Sequence, residues 1–218
     1  MDVLGAPESG EKYLFDVPGL DYLVEIPLVR LPVPGGRLRI ASLNLVGQIK
    51  LNADLGRLLA ARIRQELADM DGLLLVTAVE KSLMLTQVVG MELGLDAVAV
   101  AYNRVKPHME ADRRPVIQTG ADSITSGDKF LALYERDMNL LARAKQIAVV
   151  DDVVSTGGTL LGLSDLLQEA ARHSGVDLPE IKGVFCVAQE GKNHPLLPAP
   201  LHALTTLPEP VFEPIPGS

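Results

Sequence analysis

One cysteine, Cys186, is all the chain possesses. No disulfide can close within it, and a reducing, cytoplasmic setting is expected. Basic residues are the minority: 20 Lys and Arg against 28 Asp and Glu leave a formal charge of −8. A chain of that sign is a poor nonspecific binder of nucleic acid or of an anionic membrane. No apolar run approaches the ~20 residues that a membrane helix needs. The opening MDVLGAPESGEK has neither a basic region nor an apolar run, so no secretory signal is expected. Internal repeats and coiled-coil heptads are missing. So is the P-loop pattern, because no Lys follows the glycines, and so is the dinucleotide pattern GxGxxG.

What is present is ordinary globular composition. The 218 residues are 47% hydrophobic and 22% charged, enough for one domain with a sizeable core. The most informative stretch is IAVVDDVVSTGGT, from Ile147 to Thr159. Ile147–Val150, mostly β-branched, read as a buried strand. Asp151 and Asp152 end it. Beyond the turn, Leu160, Leu163, Leu167 and Ala171 recur at helical spacing. Gly157 and Gly158 let backbone N–H groups crowd around a bound group. Ser155, Thr156 and Thr159 add hydroxyl donors. With a helix N-terminus behind them, a phosphate is the natural guest. Asp151 and Asp152 repel a phosphate and suit hydroxyl donors or a divalent cation instead. A ligand with a phosphate at one end and a cis-diol at the other is a ribose 5-phosphate.

The run VVDDVVSTGGT resembles the phosphoribosyl-pyrophosphate (PRPP) signature of type I phosphoribosyltransferases, and the likeness covers about residues 38–192. It implies an α/β fold: a parallel-sheet core with helices on both faces, and a small hood from N- and C-terminal segments. It implies a PRPP site at Asp151, Asp152, Val153, Val154, Ser155, Thr156, Gly157, Gly158 and Thr159. Asp151 and Asp152 carry the catalytic role. The cofactor is Mg²⁺, held mainly by PRPP and in part by these two carboxylates through water.

Along the chain, residues 1–36 read as a Pro- and Gly-rich arm with a strand or two. Arg37–Asn44 reads as the first core strand. Asn52 is a candidate N-cap for a helix over Ala53–Leu67, with Leu55, Leu58, Leu59, Ile63 and Leu67 on one stripe. Leu73–Ala78 reads as a central strand, Leu83–Leu93 as a helix stopped by Gly94, and Ala97–Tyr102 as a strand. Asn103–Asp128 is polar and aperiodic. Phe130–Tyr134 reads as a strand, Leu140–Ala144 as one helical turn at most, and Ile181–Ala188 as the last strand. The tail His194–Ser218 is Pro-rich, though Leu201, Leu204 and Leu207 predict that part of it packs. The expected division is 1–36 as arm and hood, 37–192 as core, and 193–218 as a C-terminal segment partly in the hood. Such alternation gives a parallel sheet with ligands outside the carboxyl ends of its strands.

Val79-Glu80-Lys81-Ser82 stands where the family has its pyrophosphate loop, often with a non-proline cis peptide. It departs from the common Glu-Ala-x-Gly pattern, since Lys81 and Ser82 stand there without the Gly. Glu80, Lys81 and Ser82 are the pyrophosphate candidates, together with Arg104 and Lys106. The latter resemble the Arg-Lys stretch that acts on pyrophosphate across a dimer interface in adenine- and xanthine-type enzymes. An Arg fork and a Lys point charge suit a polyanion. His108 is a weaker candidate beside them. Glu110–Ser126, with Arg113 and Arg114, occupies the place of the family's closing lid. Asn44, Gln189, Glu190 and Lys192 are the base candidates. An amide offers both donor and acceptor to a purine edge.

The expected protein is therefore a homodimeric purine phosphoribosyltransferase whose partners are PRPP and a purine base, with no nucleic acid and no membrane. The base is open between adenine, xanthine and hypoxanthine or guanine. The rival reading is a PRPP-sensing regulator on the same fold, without catalysis.

Overall fold

The computed structural model describes residues 2–107, 115–121, 129–191 and 197–214. Four strands come first: β1 (Asp2–Leu4), β2 (Lys12–Phe15), β3 (Tyr22–Val33) and β4 (Gly36–Ala41). Then follow α1 (Ile49–Glu66), β5 (Leu73–Ala78), α2 (Leu83–Leu93) and β6 (Ala99–Ala101). A two-stranded antiparallel sheet, β7 (Val116–Ala121) with β8 (Lys129–Tyr134), leads into α3 (Glu135–Leu141). The chain continues as β9 (Gln146–Val154), α4 (Gly158–Ser174), β10 (Glu180–Glu190), β11 (Leu201–Leu207) and β12 (Val211–Pro214).

The central sheet is fully parallel, in the order β11-β10-β9-β5-β6. Its strands are apolar on both sides, as a sheet covered on both faces must be. Leu73, Leu75, Ala148, Val150, Phe185 and Val187 fall in one cluster with Leu55, Leu59, Leu85 and Val89 of α1 and α2. The alternate residues Leu74, Val76, Ile147, Val149, Val184 and Cys186 fall in the other, with Leu163, Leu167, Met138 and Leu141 of α4 and α3. The parallel sheet with helices on both faces stands as the sequence implied. α1 and α2 approach closely because Gly56 has no side chain: a Cβ there would lie 2.4 Å from Val88 Cγ1.

The N-terminal arm is more regular than its prolines imply. β1, β3, β4 and β12 form a second sheet in that order, with β2 paired to β3. Phe15, Val17, Tyr22, Val24 and Ile26 bury its inner side against the α1 face of the core. Pro27 and Pro32 sit within the twelve-residue β3. The strand read over Arg37–Asn44 is Gly36–Ala41, and it belongs to this mixed sheet, where it pairs antiparallel with β3 and β12, rather than to the parallel one. The tail supplies two strands. β11 is the outer strand of the parallel sheet, and β12 pairs with β4 across nearly the whole chain.

Helix α1 begins three residues before Asn52, so Asn52 is not its N-cap. The Asn52 amide lies 1% exposed and donates to the carbonyls of Leu45 at 2.5 Å and Gln48 at 2.8 Å. An Asn in the first turn of a helix that bonds back to the residues before it has the same local signature as a cap. By contrast β5 and α2 have the expected bounds. Gly94 closes α2 at φ 73°, the left-handed conformation that favours glycine.

Candidate functional site

Chain direction through the parallel sheet reverses between β5 and β9. From β5 the chain moves out to β6; from β9 it moves the other way, to β10 and β11. The loops after β5 and β9 therefore diverge and leave a crevice, which is where open α/β sheets bind ligands. A cavity of about 380 Å³ lies there, lined by Ala78, Val79, Glu80, Lys81, Ser82, Asn103, Asp151, Asp152, Val153 and Thr159. A second, of about 490 Å³, is lined by Val79, Glu80, Leu83, Tyr102, Asn103, Arg104 and Lys106. They share Val79, Glu80 and Asn103, so three separated stretches meet at one crevice.

Strand β9 carries the carboxylates. It runs on past them to Val154 because β10 continues beside it, Val153 opposite Ala188 and Val154 opposite Gln189. Asp152 is 7% exposed. Its backbone N–H donates to Asp151 Oδ1 at 2.9 Å, which fixes the Asp151 side chain against the strand. Gly157 then turns the chain at φ 79°, and α4 starts at Gly158 with no side-chain cap. The uncapped first turn of a helix presents backbone N–H groups and the positive end of its dipole. Ser155 is half-buried and Thr156 exposed, between the cavity-lining Val153 and Thr159.

The loop after β5 is held from within. The peptide bond between Val79 and Glu80 is cis. Val79 N–H donates to the Ala101 carbonyl at 2.9 Å, tying the loop to the end of β6. Ser82 is 1% exposed. Its hydroxyl lies 2.8 Å from Thr77 Oγ1 and 3.0 Å from the Ala78 carbonyl. Thr86 Oγ1 then donates to the Ser82 carbonyl at 2.8 Å. Glu80 and Lys81 remain exposed. Arg104 is exposed and Lys106 half-buried, with the Lys106 ammonium 5.6 Å from the Tyr102 ring centroid. Burial pushes the Tyr102 phenol up from its ordinary range, aided by the Asp137 charge.

Cys186 is the register partner of Asp151 on β10. Burial, and after it the Asp151 carboxylate, pushes its thiol well above the usual range. Its Sγ donates to the Ala188 carbonyl at 3.3 Å.

Among the base candidates, Gln189 and Glu190 stand half-buried at the carboxyl end of β10, on the same rim as Val154. Gln189 Nε2 donates to the Gly191 carbonyl at 2.9 Å. Asn44 makes a local turn: its Oδ1 accepts the Val46 N–H at 3.2 Å, and its carbonyl accepts from Gln48 Nε2 at 2.5 Å. The same turn touches α2, where Gly47 N–H meets Met84 Sδ at 3.2 Å. Asn44 lines neither crevice cavity. Lys192, His108, Arg113 and Arg114 lie outside the described residues, as does much of Glu110–Ser126; Val116–Ala121 within that stretch is strand β7.

The sequence sets Asn103 on the ligand rim beside Arg104 and Lys106 but assigns it no role, and it lines both cavities; it gives no notice of Tyr134, whose hydroxyl meets the Arg104–Lys106 backbone. Asn103 had a signal, since it follows a strand that ends on the ligand rim. Tyr134 had none, because its partners lie about thirty residues earlier.

No protein-family model matches the chain. The fold is that of the type I phosphoribosyltransferases. It is similar to adenine phosphoribosyltransferase from Thermoanaerobacter pseudethanolicus, with a TM-score of 0.54 at 10% identity over 82% of this chain and 95% of that one. It is also similar to the adenine phosphoribosyltransferase of Giardia lamblia crystallised with 9-deazaadenine, with a TM-score of 0.51 at 17% identity over 82% and 93% of the two chains. In sequence, 55 residues are 33% identical to a hypoxanthine/guanine phosphoribosyltransferase of Methanocaldococcus jannaschii, a match spanning 25% of this chain and 26% of that protein's length.

Proposed function

We propose that the protein is a purine phosphoribosyltransferase of adenine or xanthine type, moving the phosphoribosyl group of PRPP onto a purine and releasing pyrophosphate. One observation carries this: the carboxylates Asp151 and Asp152 of β9, the uncapped α4 and the loop Glu80–Ser82 converge at the reversal point of the sheet, beside Arg104 and Lys106. In the reaction, the bond from ribose C1 to a pyrophosphate oxygen breaks with its electron pair leaving on the pyrophosphate. A purine ring nitrogen forms the new bond to C1, and that base gives up a ring proton. Positive charge grows on the ribose and negative charge on the departing group, so no protein nucleophile is needed.

In this reading the α4 N-terminus with Ser155, Thr156, Gly157, Gly158 and Thr159 holds the 5′-phosphate. Asp151 and Asp152 accept from the ribose hydroxyls. Glu80, Lys81 and Ser82 offer backbone N–H groups to pyrophosphate, and Arg104 and Lys106 add positive charge. Gln189, Glu190, Lys192 and Asn44 serve the base. Among the described residues no group of three or more His, Cys, Asp or Glu is placed to hold a metal ion. Two adjacent carboxylates in a crevice fit Mg²⁺ that arrives with a polyphosphate, and Asp151 and Asp152 are the groups that would hold it. Such an ion would neutralise charge on the leaving oxygens. A cytoplasmic homodimer completes the reading; sedimentation as a monomer at micromolar concentration would count against the dimer.

The test is a panel of purines with PRPP and Mg²⁺, read by pyrophosphate release and by the nucleotide formed. One purine, adenine or xanthine foremost, is expected to give its 5′-monophosphate. PRPP binding with no release on any base would move the reading to a noncatalytic PRPP sensor. Failure to bind PRPP at all would end both.

A further inference from the structure

Asn103–Pro107, which follow β6 and line the larger cavity in part, belong to no helix and no sheet, yet they carry Arg104 and Lys106. One buried hydroxyl gives this segment shape. Tyr134, at the end of β8, is 4% exposed. Its Oη accepts the Lys106 backbone N–H at 2.7 Å and donates to the Arg104 carbonyl at 3.1 Å. A single phenol thus closes both backbone groups flanking Val105. Its ring meets the Tyr102 ring edge-on, with centroids 5.1 Å apart. The neighbouring elements hold the stem of the segment. Tyr102 and Ala132 exchange backbone hydrogen bonds of 2.9 and 2.8 Å. Asp137, 2% exposed, accepts the Val100 N–H at 3.1 Å. Below Tyr102 the backbone has a ladder; above it, Tyr134 stands in for one.

We infer that Tyr134 is a positioning residue for the leaving-group side of the site: its hydroxyl sets the Arg104–Lys106 backbone so that both cations face the pyrophosphate of PRPP. The inference rests on the phosphoribosyl-transfer reading. It assigns Tyr134 no contact with substrate. The phenyl ring fills space in the core, whereas the hydroxyl acts only on the cavity wall, so Tyr134→Phe separates the two roles.

Three measurements on the full chain test it: thermal unfolding, pyrophosphate binding by calorimetry with Mg²⁺, and steady-state kinetics. Tyr134→Phe is expected to weaken pyrophosphate about tenfold and to raise the KM for PRPP similarly. The KM for the base should stay within twofold, and the unfolding midpoint close to wild type. In an Arg104→Ala, Lys106→Ala background, adding Tyr134→Phe should change pyrophosphate binding less than twofold, because the hydroxyl acts through those two side chains. Undiminished pyrophosphate binding by Tyr134→Phe, with wild-type protein binding normally, overturns the inference and leaves the reaction standing. Equal losses for base and PRPP with a lowered midpoint also overturn it, as a general packing defect. If wild-type protein binds neither PRPP nor pyrophosphate, the functional reading falls first and takes the inference with it.

Discussion

Replacing Asp151 or Asp152 by Asn tests the proposed ribose contact with little disturbance to the fold. Asn is isosteric with Asp and keeps an Oδ1 acceptor, so the bond from the Asp152 N–H to residue 151, 2.9 Å long, survives the change at 151. At 152 the substitution removes a charge from a carboxyl that is 7% exposed without changing its volume, so the unfolding midpoint should stay close to wild type. The ligand loses more. A hydrogen bond to a charged acceptor contributes roughly 1.5–3 kcal/mol. At about 1.4 kcal/mol per factor of ten, each variant should lose roughly ten- to hundredfold in kcat/KM for PRPP. The KM for the base should stay within about twofold. The assay is pyrophosphate release at saturating base and varied PRPP, beside calorimetric PRPP binding. Wild-type kcat/KM in both variants, with cooperative unfolding intact, would refute the assignment of these carboxylates to the ribose.

Gly56→Ala should lower stability by up to about 2 kcal/mol in thermal unfolding. The new methyl meets Val88 Cγ1 at 2.4 Å and Cβ at 2.7 Å, and overpacking of 1–3 kcal/mol outweighs the ~1 kcal/mol gain in helix propensity; an unchanged midpoint would mean α2 yields. Burial, then Asp151, raises the Cys186 thiol in the folded state, so its stabilising effect is whole below the unfolded thiol value of about 8.5 and declines as pH rises toward the folded value. Cys186→Ala should therefore flatten the fall in stability between about pH 8.5 and 10 by up to about 1.4 kcal/mol per pH unit, and identical slopes in denaturant titrations would refute this. Asn44→Ala loses the turn bond to Val46 and, on the proposed base contact, should raise the KM for the base well above its effect on PRPP; if stability alone changes, Asn44 is a turn residue.

What the sequence discloses about this molecule is what is local. β5 reads from one apolar run, α2 from spacing and a terminal glycine, and the start of α4 from Gly157 and Gly158. The carboxylate pair and its loop lie within nine residues, and they are where the resemblance is strongest. Strand partners are another matter. β12 is a strand because β4 lies beside it, about 175 residues earlier in the chain, and β11 because β10 is open on that edge. Pro27 and Pro32 exclude a long helix but do not disclose a twelve-residue strand. Each lacks only the N–H, and β3 still pairs through the residues around them: Leu28 N–H donates to the Glu11 carbonyl at 2.9 Å. Tyr134 escaped for the same reason, since an ordinary strand tyrosine is distinguished only by the backbone it reaches.

The departure at Lys81-Ser82 bears on whether the crevice can still receive an anion. Glycine is required where φ is positive or where a Cβ would collide. Ser82 meets neither condition: its φ and ψ are −88° and −2°, open to any residue. Its side chain is turned inward, 1% exposed, and satisfied by Thr77 and the Ala78 carbonyl. Its hydroxyl ties the loop back to the strand from which it emerges. Lys81 does face the cavity side, exposed and uniquely basic in the loop. Lys81 adds a positive charge on a four-carbon stem at the cavity, which suits a polyphosphate. On the proposed reaction, Lys81 adds attraction for the departing pyrophosphate.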